Sequence, residues 1–313
     1  MRIAVVGAGA LGLYYGAMLQ RGGDEVTFLL RRDYEAITSA GLMVHSVHGD
    51  FRLERVRGAR QPREIGPVDL VLVGLKAFDN CHFPELITPL LGEGTLILTL
   101  QNGLGNEEAL AGLFGADRVV GGVAFLCANR GEPGTVHHLG AGRMELGAFA
   151  GVPTDRVTAI AESFLRAGIE CRLVQDLRAA RWRKLVWNIP YNGLCALLNE
   201  PVSRLQVFPP TRQLLREIME EVIAAAAAQG LHEPIEPEFA DQMLMFTDSM
   251  GPYRPSMQID RAAGRPLELD AIFARPLAYG STCGVAMPRV RMLHALLAVK
   301  GQDVTSVEGI ASA

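Results

Sequence analysis

A lysine and two asparagines recur at intervals of four residues in the second half of the chain, as Lys184, Asn188 and Asn192. In a helix this spacing places the three side chains on one face. Apolar neighbours flank that face, so the ammonium and the amides are expected to be partly desolvated and to need partners. Desolvation lowers the pKa of a lysine, which would make Lys184 a proton donor near neutral pH. The alternative is a solvent-exposed polar stripe, and Pro190 would kink the helix unless packing compensates.

The chain opens with a short apolar strand, and directly after it comes the run Gly7, Ala8, Gly9, Ala10, Leu11, Gly12. In such a run Gly7 permits a tight turn, Gly9 leaves room for a pyrophosphate, and Gly12 lets a helix lie close to the sheet. A helix over 11–21 and a second strand over 25–30 are expected to follow. The helix N-terminus would then face the phosphates. The segment therefore predicts a dinucleotide site formed by residues 7 to 12.

Two arginines, Arg31 and Arg32, follow the second strand at the point where a carboxylate would grip the ribose 2′-hydroxyl of NAD. A guanidinium group binds a 2′-phosphate through two hydrogen bonds and can stack on adenine. We therefore expect NADP as the cofactor, with Arg31 as the main contact and Arg32 in support. The alternative is that both arginines belong to a solvated loop, and Asp33 nearby weakens the charge argument.

Polar residues follow two further apolar strands. Lys76 ends the predicted strand 69–75, and Asn102 comes after the predicted strand 95–100. Ligands of open α/β sheets bind at the carboxyl ends of the strands. We therefore expect Lys76 beside the cofactor, and Asn102 hydrogen-bonded to the nicotinamide ribose or to the substrate. An ordinary Asn-Gly turn and a solvated lysine are the alternative.

The order of predicted elements divides the chain into two domains. Short apolar strands alternate with helices through residues 1–177, which predicts a doubly wound α/β sheet of the Rossmann type with added short strands over 119–126, 135–139 and 144–146. His137 and His138 lie there, should point to opposite faces of a strand, and are interpreted as structural. Residues 178–313 predict an all-α domain. Its predicted helices span 178–198, 210–229, 237–250, 266–279 and 289–300.

The composition argues against several classes of protein. With 313 residues, 49% of them apolar, the chain is long enough for two cores. A net charge of −4 gives no electrostatic footprint for nucleic acid or an acidic membrane. No apolar run reaches the roughly 18 residues of a membrane helix, and a strand from Arg2 leaves no room for a signal peptide, so a cytoplasmic location is expected. Five scattered cysteines predict neither a disulfide framework nor a metal site.

Several of these motifs together resemble the ketopantoate reductase (2-dehydropantoate 2-reductase) family over nearly the whole chain. The matching elements, in chain order, are the glycine run from Gly7 to Gly12, Lys76 after a strand, Gln101-Asn102-Gly103-Leu104-Gly105, the set Lys184, Asn188 and Asn192, and Ser256-Met257 with Asp260 followed by Glu268-Leu269-Asp270. By this resemblance Lys76 and Asn102 are neighbours of the cofactor, and Asn102 also of the substrate.

The resemblance also implies roles in the second half of the chain. Lys184 corresponds to the catalytic lysine, and Glu268 to an acid near both the cofactor ribose and that lysine. Asn188 and Asn192 correspond to amides that hold the substrate. Ser256 corresponds to the residue that meets the substrate carboxylate.

The implied activity is the NADPH-dependent reduction of a small 2-oxo acid, with 2-dehydropantoate and its conversion to pantoate in pantothenate and coenzyme A biosynthesis as the first candidate. A homodimer is kept open. Some family members carry a further substrate asparagine shortly after the lysine helix, where this chain has Glu200-Pro201-Val202-Ser203. The alternatives are a reductase of another 2-oxo acid, a dehydrogenase of the 6-phosphogluconate or 3-hydroxyacid type, and a non-catalytic NADP-binding regulator.

Overall fold

The computed structural model of the chain describes residues 1–301. The chain divides into two compact units, Met1–Leu177 and a second that begins at Arg178. A mixed sheet with helices forms the first unit, and the described part of the second consists of helices and loops. The predicted fold class, a Rossmann-type domain followed by an all-α domain, is confirmed. Within residues 1–301, none of the helices has both the length and the apolar character needed to span a bilayer.

One sheet contains all ten strands that the structure describes in the first unit, in the order β4-β3-β9-β8-β7-β6-β1-β2-β5, with β10 beside β9. Their bounds are β1 Arg2–Val6, β2 Glu25–Leu29, β3 Leu42–Ser46, β4 Phe51–Leu53, β5 Arg57–Ala59, β6 Val68–Val73, β7 Leu91–Thr99, β8 Val119–Arg130, β9 Thr135–Ala148 and β10 Cys171–Leu173. The six neighbouring strands β5, β2, β1, β6, β7 and β8 run parallel, whereas β9 is antiparallel to β8. The parallel part has the strand order of a dinucleotide-binding sheet.

Five helices accompany this sheet: α1 Ala10–Arg21, α2 Tyr34–Ala40, α3 Phe83–Ile87, α4 Asn106–Phe114 and α5 Asp155–Arg166. The sheet curls around α1, because α1 packs against strands from both of its halves. A Cβ on Gly16 would lie 2.5 Å from the ring of Phe28 in β2. On the other side, the Tyr15 hydroxyl donates to the carbonyl of Gly142 in β9 at 3.1 Å. The first helix of the nucleotide motif is therefore fixed from both sides.

The added strands differ from their predicted form. The sequence suggested separate short strands over 135–139 and 144–146, but β9 is one strand of 14 residues. Its register against β8 is irregular near Ala141, whose φ is +57°, and glycines flank that residue. The bulge disturbs the alternation of side chains, which explains the apparent break in the pattern.

The two adjacent histidines of β9 lie in different surroundings. His137 is half-buried and stacks on His45, with ring centroids 5.1 Å apart. His138 is buried, its Nδ1 lies 2.8 Å from the Ser46 hydroxyl, and its ring lies 4.4 Å from that of Tyr14. Both histidines are engaged in packing between strands.

The second unit contains, within its described residues, the helices α6 Leu177–Leu198, α7 Val202–Val207, α8 Pro209–Ala227, α9 Phe239–Asp248, α10 Ser256–Ala262, α11 Arg275–Thr282 and α12 Pro288–Gly301. The sequence pattern did not predict α7 and α10, because helices of six and seven residues are too short to show a helical period. The predicted helix 266–279 begins late: residues 265–268 are not helical, and a π-helical turn, Asp270–Ala274, leads into α11.

Helix α6 continues through Pro190. Packing on either side of the proline compensates for the lost backbone hydrogen bond. The Trp187 indole nitrogen donates to the Thr247 hydroxyl of α9 at 2.9 Å, and its ring stacks on Tyr191 with centroids 4.9 Å apart. A Cβ on Gly193 would lie 2.5 Å from a methyl group of Leu293, so α12 also approaches α6 closely.

Candidate active site

Four neighbouring parallel strands of the first unit end together. β2, β1, β6 and β7 stay in register up to their last residues, which are Leu29, Val6, Val73 and Thr99. The loops that follow these ends carry Arg31, the glycine run, Lys76 and Asn102. All the predicted cofactor residues of this unit therefore lie along one edge of the sheet, which is where open α/β sheets bind their ligands.

The three glycines of the motif serve different purposes. Gly7 has a φ of +100°, and a Cβ there would lie 2.4 Å from the backbone nitrogen of Leu75. A Cβ on Gly12 would lie 2.1 Å from the Gly7 carbonyl oxygen. By contrast, a Cβ on Gly9 would have its nearest neighbour, the Gly74 carbonyl oxygen, at 3.9 Å. The fold needs Gly7 and Gly12, whereas the bare backbone at Gly9 is open to a close-fitting ligand.

The amino end of α1 suits a phosphate. Gly9 occupies the N-cap position without a side-chain hydrogen bond, and the first turn contains no acidic residue. The first backbone N–H groups of a helix have no partner within it, and the helix dipole favours an anion there. Together with the open backbone at Gly9, this end fits the pyrophosphate of a dinucleotide.

A chain of amide hydrogen bonds connects the loops after β6 and β7. The Thr99 hydroxyl donates to Gln101 Oε1 at 2.9 Å, and Gln101 Nε2 donates to Asn80 Oδ1 at 2.7 Å. Asn80 Nδ2 donates to Asn106 Oδ1 at 2.9 Å, and Asn106 Nδ2 donates to the Asn102 carbonyl at 2.9 Å. The network fixes the backbone of Asn102. Sequence reasoning missed Asn80 and Asn106, since the hydrogen bonds of Asn80 join it to residues more than 20 positions away.

The loop after β2 presents one arginine and buries one carboxylate. Arg31 is exposed and makes no ion pair among residues 1–301. Asp33 is only 3% exposed, and one of its oxygens contacts the guanidinium of Arg130 at the end of β8. Arg32 Nε lies 3.6 Å from its other oxygen. The carboxylate that weakened the charge argument is therefore paired with cations, and sequence reasoning missed Arg130.

The polar stripe of α6 is not a solvent-exposed face. Asn188 and Asn192 are buried, with exposed fractions of 5% and 3%, and Lys184 is half-buried. The pKa of Lys184 is lowered to about 7: burial is the largest cause, the positive charge of Arg181 acts in the same direction, and the negative charge of Glu268 opposes both. An ammonium in this environment can release its proton near neutral pH.

Two further predicted residues, Glu268 and Ser256, lie in later segments that interact with this stripe. Glu268 is buried in the non-helical segment before the π-helical turn, and its charge acts on Lys184. Ser256 is exposed as the first residue of α10. Asn192 Oδ1 accepts a hydrogen bond from the backbone nitrogen of Met257 at 3.1 Å, so Asn192 ties α6 to the start of α10. Its amide nitrogen, which can only donate, remains available to a ligand.

The first unit has a Rossmann-type sheet edge that fits a dinucleotide, and the helical unit has a lysine whose pKa is about 7. These two features are typical of dinucleotide-dependent oxidoreductases. The family model "Ketopantoate reductase PanE/ApbA" matches residues 3–151, and its counterpart "Ketopantoate reductase PanE/ApbA C terminal" matches residues 176–301. The chain belongs to the ketopantoate reductase family, which confirms the resemblance seen in the sequence.

Named relatives agree with this assignment. A 2-dehydropantoate 2-reductase from Nostoc sp. is 41% identical over 97% of both chains. The crystal structure of a 2-dehydropantoate 2-reductase from Geobacter metallireducens GS-15 is 64% identical, with a TM-score of 0.94 over 96% of this chain and 99% of that one. A ternary structure of D-mandelate dehydrogenase with NADH and anilino(oxo)acetate is 25% identical, with a TM-score of 0.89 over 96% of this chain and 98% of the other. The cofactor is accordingly a nicotinamide dinucleotide.

Proposed function

We propose that this protein reduces 2-dehydropantoate to pantoate with NADPH, a step in pantothenate and coenzyme A biosynthesis. The observation that carries the proposal is a lysine with a pKa of about 7 beside two buried asparagines, in a chain of this family. The relatives from Nostoc and Geobacter bear the name of this activity.

The loop after β2 supports the choice of NADPH over NADH. Arg31 is exposed there without a competing carboxylate, because Asp33 is buried against Arg130. An exposed guanidinium without a neighbouring carboxylate partner can bind a 2′-phosphate through two charge-assisted hydrogen bonds. Arg60 lies over the ring of Tyr34 in the same loop region, with its guanidinium 4.1 Å from the ring centroid, but its charge is paired with Glu35. We assign the pyrophosphate to residues 7 to 12 and the nicotinamide end to Lys76 and Asn102.

The proton comes from Lys184. When bound, the reduced nicotinamide supplies the hydride that goes to the keto carbon of the substrate. Lys184 donates its ammonium proton to the keto oxygen as negative charge develops there, so the product is a neutral alcohol and the lysine is left as a free amine. Glu268 raises the pKa of Lys184 and so keeps more of it protonated. Proton uptake from solvent then restores the ammonium.

The substrate is held by the remaining polar groups of the helical unit. Ser256 offers a hydroxyl to the carboxylate, and the buried amide of Asn188 offers both a donor and an acceptor. Asn192 offers its amide nitrogen to a substrate hydroxyl, since its oxygen is committed to Met257. Hydroxyl recognition of this kind separates 2-dehydropantoate from 2-oxoisovalerate, which lacks the group.

The proposal is tested by product analysis. Incubation with NADPH and 2-dehydropantoate should form one pantoate for each NADPH oxidised. Lys184→Ala should lower kcat by about 100-fold to 10,000-fold, the usual contribution of a general acid, while the NADPH dissociation constant stays nearly unchanged. Oxidation of NADPH without formation of pantoate would contradict the proposed activity. A Lys184→Ala variant that keeps more than about a tenth of the wild-type kcat would contradict the role of Lys184 as the proton donor.

A second candidate is a reductase of another 2-oxo acid. The likeness to D-mandelate dehydrogenase favours it, since the same fold there accommodates anilino(oxo)acetate. The absence of a further asparagine in the segment Glu200-Pro201-Val202-Ser203 also leaves room for a different side chain on the substrate.

A cytoplasmic location and a homodimer stay predictions. Sedimentation velocity of the full chain tests the second.

A further inference from the structure

Asp33 poses a physical problem for a protein that selects NADPH. It lies two residues after Arg31 in the loop that follows β2. Two residues of chain span at most about 7 Å, which is shorter than the roughly 8–10 Å over which salt screens a charge. An uncompensated carboxylate there would repel the 2′-phosphate and could bind the 2′-hydroxyl of NADH instead.

The structure shows how this carboxylate is held. Asp33 occupies the N-cap position of α2, where aspartate usually accepts a hydrogen bond from the helix, yet it makes no such bond. One carboxylate oxygen contacts Arg130 Nη2 instead. The other oxygen is buried without a hydrogen bond and has Arg32 Nε at 3.6 Å. Arg32 is 72% exposed, so water screens its charge, whereas Arg130 is only 25% exposed.

We propose that Arg130 determines cofactor specificity by neutralising Asp33, so that Arg31 can bind the 2′-phosphate. Arg130 lies 97 residues from Asp33 in sequence, at the end of β8, and acts on the cofactor through the carboxylate. It is a positioning residue, and this inference rests on the proposed preference for NADPH. It predicts that cofactor selectivity depends on the balance of two charges rather than on Arg31 alone.

The test is a charge cycle on the full chain, read as the dissociation constants of NADPH and NADH in direct binding titrations without substrate. Arg130→Met should weaken NADPH at least ten-fold and leave NADH unchanged or tighter, because Asp33 becomes an uncompensated anion. Asp33→Asn, which keeps the size of the side chain, should tighten NADPH, because Arg130 becomes an uncompensated cation. Asp33→Asn combined with Arg130→Met should return the ratio of the two constants to within about three-fold of wild type.

A control variant removes an arginine of β5 that pairs with a carboxylate at the opposite end of β2 from Arg31. Arg57 pairs with Glu25 at the start of β2, and Arg57→Met should leave the NADPH to NADH ratio unchanged. Melting temperatures of all variants report folding. If Arg130→Met does not fold, Asp33→Asn and the double variant still decide the question by the sign of their effects.

The outcomes separate the two proposals. Opposite effects of the two single substitutions, cancelling in the double variant, support the inference. Equal losses of NADPH and NADH in Arg130→Met, or weaker NADPH binding in Asp33→Asn, assign the pair a purely structural role and overturn it. A wild type that binds both cofactors equally overturns the NADPH preference itself, and that result is read from the wild type alone.

Discussion

The charge on a single residue, Lys184, controls the proposed chemistry. With a pKa of about 7, a substantial fraction of Lys184 is protonated near neutral pH, and its ammonium group is acidic enough to donate the proton. Two neighbours act on it in opposite directions, with Arg181 lowering the pKa and Glu268 raising it. Burial, which is the largest cause of the shift, and these two charges together therefore set the pH at which Lys184 can donate.

The pH dependence of the reduction follows with a definite sign. Only the protonated form of Lys184 can donate, so kcat/KM should fall as the pH rises through about 7. Glu268→Gln removes the charge that raises the pKa, and should move this break to lower pH. Arg181→Gln should move it to higher pH. The measurement is kcat/KM against pH for the three proteins. A wild-type profile that stays flat to about pH 9 would contradict the role of Lys184 as acid.

Arg31 is the second residue whose charge decides an outcome. It is exposed after β2, and the loss of a charge-assisted contact there is worth about 1.5–3 kcal/mol. Arg31→Ala should therefore raise the KM for NADPH about ten-fold or more and leave the KM for NADH nearly unchanged. Arg32→Ala is the matched control, with a smaller effect expected because its guanidinium faces Asp33. Equal effects on the two cofactors would exclude a contact with the 2′-phosphate.

Sequence alone could identify only part of the candidate site. The spacing of Lys184, Asn188 and Asn192 predicted one helical face, because a period of four residues is local. Ser256 and Glu268 were suggested only by resemblance, since nothing in their local pattern indicates a site. Pairings such as Asp33 with Arg130 join segments that are far apart in sequence. The periodicity of residue types along a single sequence does not indicate such pairings.

Among the elements, the turn from β1 into α1 allows the fold and the ligand to be tested separately. A Cβ on Gly12 would press on the Gly7 carbonyl at 2.1 Å, whereas one on Gly9 has no neighbour closer than 3.9 Å. Gly12→Ala should lower the free energy of unfolding by about 1–3 kcal/mol or more through overpacking. Gly9→Ala should change it by less than about 1 kcal/mol, yet weaken NADPH binding at least about ten-fold.

Thermal melts and NADPH titrations of the two glycine variants check this prediction together. A Gly9→Ala protein that binds NADPH like the wild type would remove the pyrophosphate from this turn. A Gly12→Ala protein as stable as the wild type would show that α1 can shift away from the Gly7 carbonyl.

The longer elements were predictable and the shorter ones were not. β1, α1 and β2 follow from an apolar run, a glycine motif and a second apolar run, and the structure places them within one residue of the predicted bounds. α10, with seven residues, and the π-helical turn before α11 escaped prediction. Both lie next to the site, because Ser256 begins the first and Glu268 precedes the second. Short irregular elements depend on tertiary packing rather than on a repeating pattern.

The two units of the molecule have different proposed roles. The proposed cofactor residues other than Glu268 belong to the first unit, and Ser256 belongs to the second. Ser256→Ala should therefore raise the KM for the 2-oxo acid several-fold, in line with about 0.5–1.5 kcal/mol for one hydrogen bond, and leave the NADPH dissociation constant unchanged. Steady-state kinetics and a binding titration check both halves of the statement. A loss of NADPH affinity would place Ser256 at the cofactor.

The proposed substrate is tested most sharply by kcat/KM for a panel of 2-oxo acids at saturating NADPH. The panel contains 2-dehydropantoate, 2-oxoisovalerate, pyruvate and phenylglyoxylate, the oxo acid of mandelate. We predict that kcat/KM for 2-dehydropantoate exceeds that for each of the others by at least about 100-fold, because only it offers a hydroxyl to the amide of Asn192. Equal values for 2-dehydropantoate and 2-oxoisovalerate, or a higher value for phenylglyoxylate, would contradict it.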